Sequence, residues 1–600
     1  MSGESKLGRV VSWLDERTGI RSLLSHALDE PVVGGSRWAY VFGSVLTVGF
    51  LAQVATGLGL MTAYAPSTQT AWSSVHFITT RMEGGWLVRG LHHFGASAVV
   101  IVLGLHLLQT ALFGAYKRPR ELNWLFGLAL FAVTLGFALT GYLLPWDQKG
   151  YWATKVATNI AGTIPVVGPK LQSLALGGTD YSSHTLTRFY ALHVGVLPLA
   201  ALGLFGAHVA LFRKHGVTPP ASADRKKIES FFPKQLGKDV VGAAVFLGAV
   251  ALLAWREHGA PLDAPADPAS EYPARPEWYF LSLFELLKYL HGPLELVGTV
   301  GLPGLGGAYL AALPFLDRKP GATLAQRAKV LAPLLAGALG AVALTLSAQS
   351  KDAKDKSFQE ARAKADAEAK RALSLAAGGI GPEGPLAMMK NDPEVKGAAL
   401  FDKSCAGCHV LAGHGSPKEA TAPTLDGWGT EAWVMGLLDN PDKDTLFGRT
   451  PFKGMMPPVT RCKEGVADCK PTSEADARAV AAWLAAQSGD APADPAKVAA
   501  GETIAKTRCT VCHVVKGEGD DGGEGTAPEL SGWGSVGWIR AQIVDPTSPA
   551  TYRAKALTHG AGVKGGPRPM PKMGDEIAPA DADLLARWVH AKARGKKLAP

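Results

Sequence analysis

Apolar and polar positions divide this chain into two unlike parts. Residues 36–350 hold nearly all of its long apolar runs, and residues 351–600 read as soluble. Seven apolar segments approach or exceed the roughly 20 residues that an α-helix needs to cross a bilayer: about 37–60, 87–113, 124–145, 187–212, 238–256, 294–316 and 326–348, with 238–256 marginal. Outside them the pattern predicts a surface helix around Leu7–Leu28 and an exposed charged helix from Lys351 to Leu375. A linker follows from Gly378 to Pro385, and two late helices are expected at Glu474–Gln487 and Pro579–Lys592.

Charge fixes an orientation for the spans. The chain of 600 residues carries a net charge of +9, and the positives crowd into alternate loops. Lys6, Arg9, Arg17 and Arg21 precede the first span. Lys117, Arg118 and Arg120 follow the second, Arg213, Lys214, Arg225, Lys226, Lys227, Lys234 and Lys238 follow the fourth, and Arg318, Lys319 and Arg327 follow the sixth. Lys/Arg-rich loops belong on the cytoplasmic side, so seven spans carry the chain from a cytoplasmic N-terminus to an extracytoplasmic second part. This distribution, with no basic stripe interleaved with aromatics, argues against nucleic-acid binding. Residues 1–35 lack the pattern of a cleavable signal, and the first span is expected to act as an uncleaved one.

Two of the spans carry histidines. His92 and His106 are 14 residues apart on the second, and His193 and His208 are 15 apart on the fourth. At 1.5 Å per residue each pair is separated by roughly 21–23 Å and projects from nearly one helix face. Ionisable side chains at membrane depth are costly and functional by default. Side by side, the two helices would build two stacked bis-histidine sites suited to two b-type haems, with His92 and His193 at the outer level and His106 and His208 at the inner. His93 points elsewhere and is read as an ordinary packing residue. Gly43 and Gly57 on the first span, and Gly127 and Gly141 on the third, repeat the 14-residue spacing and would admit a large flat ring, although glycine also serves helix packing in membranes. Arg89 and Arg188 are candidate partners of haem propionates, since guanidinium matches carboxylate.

All six cysteines lie in the second part. Cys405-Ala406-Gly407-Cys408-His409 and Cys509-Thr510-Val511-Cys512-His513 have the attachment pattern of c-type haem, with two thioether bonds and one axial histidine. Both are followed by a common stretch, Ala422-Pro423-Thr424-Leu425-Asp426-Gly427-Trp428-Gly429 and Ala527-Pro528-Glu529-Leu530-Ser531-Gly532-Trp533-Gly534, so the pattern is a tandem repeat. Met456 and Met570, each followed by proline, are the expected distal ligands. Met455, Met573, His414 and His559 are the alternatives. Cys462 and Cys469 remain, close together, and would form a disulfide outside the cytoplasm.

Four stretches carry a family resemblance. Gly85-Trp86-Leu87-Val88-Arg89-Gly90-Leu91-His92-His93, Gly141-Tyr142-Leu143-Leu144-Pro145-Trp146-Asp147-Gln148, Thr187-Arg188-Phe189-Tyr190-Ala191-Leu192-His193 and Pro276-Glu277-Trp278-Tyr279 resemble cytochrome b of quinol:cytochrome c oxidoreductases over roughly residues 20–345. The 15-residue histidine separation and the length are similar to a cytochrome b6 fused to the three-helix subunit IV. That family carries a cysteine before the first span for an extra covalent haem. No cysteine precedes Cys405 here, so that haem is expected to be absent. The repeat resembles tandem class I cytochrome c domains.

The resemblance implies an all-α fold, a seven-helix transmembrane cytochrome b bundle followed by two small helical cytochrome c domains. The expected divisions are a cytoplasmic segment at 1–35, a b6-like haem bundle at 36–222, a subunit IV-like region at 223–350, helix and linker at 351–396, and c domains at 397–490 and 491–600. It also implies a quinol site on the outer side, with Glu277 as proton acceptor and Tyr279 and Tyr142 orienting the quinone or gating it. A second quinone site on the inner side would use Lys238, Asp239 and Arg213. The implied setting is the bacterial inner membrane, as a homodimer, with a separate Rieske iron–sulfur protein and a cytochrome c or terminal oxidase as partners. A conduit passing electrons from quinone to an outer reductase without a Rieske protein is the other arrangement these residues allow.

Overall fold

The computed structural model describes residues 6–21, 25, 28–450, 452–462, 470–489, 494–519, 527–552 and 570–598. Two compact units divide them, Met1–Met388 and Met389–Pro600. In the first, all seven expected spans are helical, as Trp38–Met61, Gly85–Phe113, Glu121–Leu143, Ser183–His215, Phe231–Arg256, Val297–Leu316 and Leu324–Lys354.

The helices start and stop where local chemistry dictates. The surface helix expected from the sequence is interrupted: α1 (Lys6–Thr18) ends before Gly19, which has φ +63°, and Ile20, Arg21, Ser25 and Leu28 beyond it are helical. α2 (Val41–Met61) and α3 (Ala71–Thr80) lead to α4 (Gly85–Phe113), which is bounded by Gly84 and Gly114, both left-handed. That conformation is cheap for glycine alone. α5 (Glu121–Leu143) is followed by α6 (Gln148–Gly162), capped by the Asp147 carboxylate, and by α7 (Gly168–Leu176).

The fourth span is not a uniform helix. α8 (Ser183–Ala191), opened by a Ser182–Thr185 capping box, passes through a π-helical turn at Leu192–Val196 into α9 (Leu197–His215). Pro198 has no N–H to continue an α-helical ladder, and its ring crowds the carbonyl four residues back. The wider turn takes up one extra residue. His193 lies within it and His208 beyond it, so it offsets their 15-residue spacing against the 14 of the partner helix. Val297–Gly301 is another π-turn with a proline, Pro303, at the same offset.

α10 (Leu236–Arg256), α11 (Trp278–Leu287), α12 (Leu302–Leu316) and α13 (Leu324–Lys354) complete the membrane part. α2 packs on α4 and α5 on α9, giving two helix pairs. α10 packs on α2 and α4, and α11 packs on α13. A two-stranded antiparallel ribbon, β1 (Pro31–Val33) and β2 (Ile228–Ser230), ties the N-terminal segment to the loop after the fourth span.

Asp317 and Arg327 clamp the basic end. The Arg327 guanidinium donates to Asp317 at 2.6 Å and to the carbonyls of Ala111 and Leu112 at 2.6 Å each. Tyr116 donates to the same carboxylate at 2.7 Å.

The charged stretch after the last span differs from the exposed helix expected there. α13 runs to Lys354, and Asp355 breaks the helix with ψ 104° and caps α14 (Lys356–Ala377). Ala369, Ala372 and Ala376 on α14 are buried, so this helix is docked along one face. Arg275 forms a two-pronged ion pair with Asp352 at 2.8 Å and lies over the rings of Phe284 and Phe358.

The second unit begins with α15 (Pro385–Lys390) at its boundary and contains α16 (Pro393–Ser404), α17 (Glu431–Asp439), α18 (Glu474–Gln487), α19 (Pro495–Arg508), α20 (Val536–Val544) and α21 (Pro579–Ala593). One hydrophobic core runs through both repeats. The two repeats exchange helices within this unit. α16, which opens the first repeat, packs on α21, which closes the second, and α19, which opens the second, packs on α18, which closes the first. The connection from Gln487 to Pro495 is short, and closing a short loop is entropically cheaper than closing one the length of a repeat.

The clamp gives the first test. Asp317 and Arg327 are 5% and 4% exposed, and removing one member of a buried pair costs about 3–5 kcal/mol. Asp317→Ala should lower the unfolding midpoint in detergent strongly, whereas Asp317→Leu/Arg327→Met should be less destabilised. Equal losses in the two variants would contradict it.

Candidate haem and quinone sites

The four membrane histidines come together as two facing pairs, one at each end of the bundle. The His92 and His193 rings have centres 6.3 Å apart with their planes at 73°. Imidazole nitrogen binds a transition metal at about 2.0–2.1 Å, so two imidazoles sharing one metal ion hold their centres a little over 6 Å apart, and this pair fits. His106 and His208 lie within electrostatic reach of each other.

Each ring sits opposite one of the four glycines. A Cβ on Gly141 would lie 2.6 Å from His193 Cε1, one on Gly57 3.2 Å from His92 Cε1, one on Gly127 3.3 Å from His208 Cε1, and one on Gly43 3.7 Å from His106 Cε1. The repeated glycines therefore leave room for the imidazoles themselves.

Neighbouring groups set which nitrogen is free. His208 Nδ1 lies 3.0 Å from the Asn123 carbonyl, which can only accept, so Nδ1 carries the proton and Nε2 presents its lone pair. His92 Nδ1 meets Thr56 Oγ1 at 3.0 Å and His193 Nδ1 meets Thr140 Oγ1 at 3.1 Å. Each threonine hydroxyl already donates to a carbonyl, of Ala52 at 2.7 Å and of Gly136 at 2.8 Å, so each accepts from the imidazole. Such outer partners orient metal-binding histidines. His106 Nδ1 is buried without a hydrogen bond. Little in the sequence alone marks Thr56 and Thr140. The available signal was the Thr-Gly dipeptide repeated at Gly57 and Gly141.

Arg89 and Arg188 both donate to backbone carbonyls. Arg89 is buried and donates to the carbonyls of Ala260 and Pro261, at 2.6 Å each, and to Thr79 at 3.2 Å. Arg188 is exposed and donates to the Leu174 carbonyl.

At the His92 end, Glu277 accepts from Lys149 Nζ at 2.9 Å. Burial pushes its carboxyl up, and the Lys149 ammonium and His93 pull it further down, so it is held below the usual carboxylate range. Lys149 also lies 5.6 Å from the centre of the Tyr142 ring. The Tyr142 phenol is near the carboxylate and helps to hold it down. Tyr279 is close enough to feel the same charge. His93, read as ordinary, also feels Glu277, Arg89 and Lys149. Nothing in the sequence pairs Lys149 with a residue 128 positions away.

At the opposite, basic end, Lys238 donates to the Ser36 carbonyl at 2.9 Å and to its hydroxyl at 3.0 Å. Asp239 is buried and accepts from Ser44 at 2.9 Å and from Gln235 at 2.8 Å. Arg213 pairs with Glu30 and lines a cavity of about 1320 Å³ together with Arg118, Arg120, Lys214 and Arg225. Neither Lys238 nor Asp239 lines it.

In the second unit, His409 Nδ1 donates to the Pro423 carbonyl at 2.8 Å and His513 Nδ1 to that of Pro528 at 2.9 Å, freeing Nε2 in both. The four motif cysteines are unbridged. Burial pushes the thiols of Cys405 and Cys509 up, to about 12 and about 11. Met456 and Met570 are half-buried against the core, and Met455 is 44% exposed. Met573 is buried. His414 is bound to Asp402 at 2.8 Å, and His559 lies outside the described residues. Cys462 is disulfide-bonded, while Cys469, its expected partner, lies outside the described residues. The indole nitrogen of Trp433 is buried without a partner, as a donor facing an additional group would be.

Known proteins resemble this chain along most of its length. Residues 28–216 match the family model for cytochrome b/b6/petB, 265–360 that for cytochrome b(C-terminal)/b6/petD, and 394–488 and 498–592 each match cytochrome c. The menaquinol:cytochrome c reductase cytochrome b subunit of Bacillus subtilis (strain 168) is 41% identical over 222 residues, 36% of this chain and 99% of the relative. Cytochrome b6 of Oltmannsiellopsis viridis is 40% identical over 214 residues, 36% of this chain and all of the relative. A solved hyperthermophilic respiratory Complex III aligns with TM-score 0.50 and 28% identity, over 59% of this chain and 93% of that one. The chain belongs to the cytochrome b/b6 family. It is a multi-pass membrane protein of haem b and haem c type, with two cytochrome c domains following the membrane part.

The glycine distances predict a graded response. Gly141→Ala should displace His193 and cost most of the haem b at that level. Gly57→Ala and Gly127→Ala should lose less, and Gly43→Ala should retain the wild-type content. Haem b measured by pyridine haemochrome in purified variants checks this, and uniform loss across all four would contradict it.

Proposed function

We propose that this chain is the core electron-transfer subunit of a quinol:cytochrome c oxidoreductase. The observation that carries this reading is the stack of two facing histidine pairs, with an acid–base cluster around Glu277 at one end and a basic cavity at the other. His92 with His193 and His106 with His208 would hold two non-covalent b haems, and the two Cys-x-x-Cys-His motifs would hold two covalent c haems, groups that would supply one-electron transfer.

Quinol oxidation releases two protons and two electrons. Glu277 is ionised at neutral pH and can accept a proton. Lys149 holds that carboxylate in place, and Tyr142 and Tyr279 border it. One electron goes to a separate Rieske iron–sulfur protein and on to the c domains. The other crosses to a quinone at the basic end, where Arg213 lines the cavity and Lys238 and Asp239, bound to Ser36 and Ser44, are the residues to deliver protons. Arg89 fixes the loop at Ala260–Pro261 near the outer site. Proton release at one surface and uptake at the other make the cycle translocate protons. The likeness to menaquinol:cytochrome c reductase subunits supports this reading. The chain works in the bacterial inner membrane as a homodimer, N-terminus in the cytoplasm and cytochrome c domains outside, and hands electrons to a cytochrome c or terminal oxidase.

Purified chain should contain two haem b and two haem c, and quinol should reduce the b haems only while a Rieske protein is being oxidised. Fewer than two haem b, or b-haem reduction independent of a Rieske protein, would overturn the assignment. Glu277→Gln should lower turnover by about 10²–10⁴-fold, the usual contribution of a positioned base, with haem content unchanged. Lys149→Ala removes the foremost of the groups that hold the Glu277 carboxyl down, so burial, which raises it, weighs more. The acid limb of the turnover–pH profile should therefore move to higher pH. An unmoved limb would show that another group accepts the proton.

A further inference from the structure

We propose that the two c-type haems are ligated across the repeats. The haem held by Cys405, Cys408 and His409 takes its sulfur ligand from Met570, and the haem held by Cys509, Cys512 and His513 takes its ligand from Met456. This rests on reading both Cys-x-x-Cys-His sites as haem c sites.

The helix exchange carries the argument. Gly397 of α16 lies so close to Trp588 of α21 that a Cβ there would be 2.4 Å from the indole. Gly501 of α19 meets Ala479 and Trp483 of α18 in the same way. Each attachment motif directly follows one of these opening helices, so each haem is presented to the closing helix of the other repeat.

Ion pairs and stacking seal the exchange. Lys396 pairs with Asp581 at 2.6 Å, Lys592 with Glu394 at 2.8 Å, and Lys497 with Glu431 at 2.6 Å. Phe401 and His414 of the first repeat pack on Trp588 of the second, with ring centres 5.4 and 5.6 Å apart.

A continuous thread leads from the second attachment site to Met456. Arg508, the residue before Cys509, donates to Thr472 at 3.0 Å. The Thr472 N–H donates to the Val459 carbonyl at 2.9 Å, and the Val459 N–H to that of Leu438 at 2.7 Å, at the end of α17. Val459 is three residues from Met456. In the other half, α20 packs on α21, Gln542 of α20 contacts the Met570 sulfur at 3.6 Å, and the Met573 N–H donates to the Ile543 carbonyl at 3.2 Å.

The chain crosses over at the two Gly-Trp-Gly turns. Gly427, Gly429, Gly532 and Gly534 all have φ between +66° and +82°, and the Trp428 and Trp533 rings meet at 4.8 Å. Thr424 N–H still donates to the Thr445 carbonyl at 3.0 Å and Glu529 N–H to that of Thr551 at 2.8 Å. The loop before each methionine therefore bridges the two sites.

The test uses the full chain with one haem marked. Cys509→Ala leaves the second haem with a single thioether and a displaced absorption band. Adding Met456→Ala should open the marked haem to carbon monoxide, and adding Met570→Ala should open the unmarked one. The reverse assignment, or no opening of either haem, would overturn the proposal. Absence of haem c from the parent chain would instead defeat the reading it rests on. If the variants fail to accumulate, carbodiimide cross-linking of the unsubstituted chain decides. Peptides joining Lys396 to Asp581 and Lys497 to Glu431 within one chain are expected. Links from residues 393–404 to 474–487, or from 495–508 to 579–593, would overturn it.

Discussion

A buried imidazole has two nitrogens, and each needs a partner in a medium that offers no water. That demand organises the membrane part. One nitrogen of His92, His193 and His208 is taken by a threonine hydroxyl or a carbonyl, which leaves the other as a lone pair aimed into the bundle. Unless a metal meets it, that lone pair is a desolvated acceptor with nothing to accept. Helix positions follow from the same demand. The glycines let the imidazoles approach the neighbouring helices, and the π-turn keeps two histidines on one face despite an odd spacing. The helices pair as α2 with α4 and α5 with α9, leaving the space between the pairs to the rings.

Much of this was legible in the chain. Span positions follow from apolar runs, because a bilayer imposes one length on every helix that crosses it. The histidines stood out because charge at that depth is rare, and the glycines because they shared the histidines' spacing. What escaped were contacts that sequence distance hides. Lys149 meets Glu277 only through the loop after the third span. His93 joins that cluster because the helix next to His92 faces the outer loop rather than lipid. The π-turn could have been suspected from Pro198, but proline marks a disturbance without stating its form. The basic cavity gathers Arg118, Arg120, Arg213 and Arg225 from separate loops that had seemed to report topology alone.

The stretch after the last span shows how composition misleads. Its alanines and charges suggest a solvated rod. Yet Ala369, Ala372 and Ala376 share a spacing that places them on one face, and small side chains permit close docking. The Arg275–Asp352 pair joins the loop just before Glu277 to the end of α13, so the outer cluster and the segment leading out of the membrane share one mechanical link. In the soluble part, the repeat is plain in sequence while the exchange of helices is not. Two copies with the same turns and the same helix–helix glycine can pair within themselves or with each other, and only the short connection between α18 and α19 distinguishes the options.

That exchange has a consequence for how the protein is made. Synthesis proceeds from the N-terminus at about 5–20 residues per second. α16 is complete when Ser404 emerges, but its packing partner begins at Pro579, so the gap is on the order of ten seconds or more. During that interval the first pair of thiols has no closing helix over it, and it stays open to whatever enzyme joins the cofactor. The second pair follows a hairpin already in hand. The order of maturation is thus written into the order of the helices: the site translated first is the last to close.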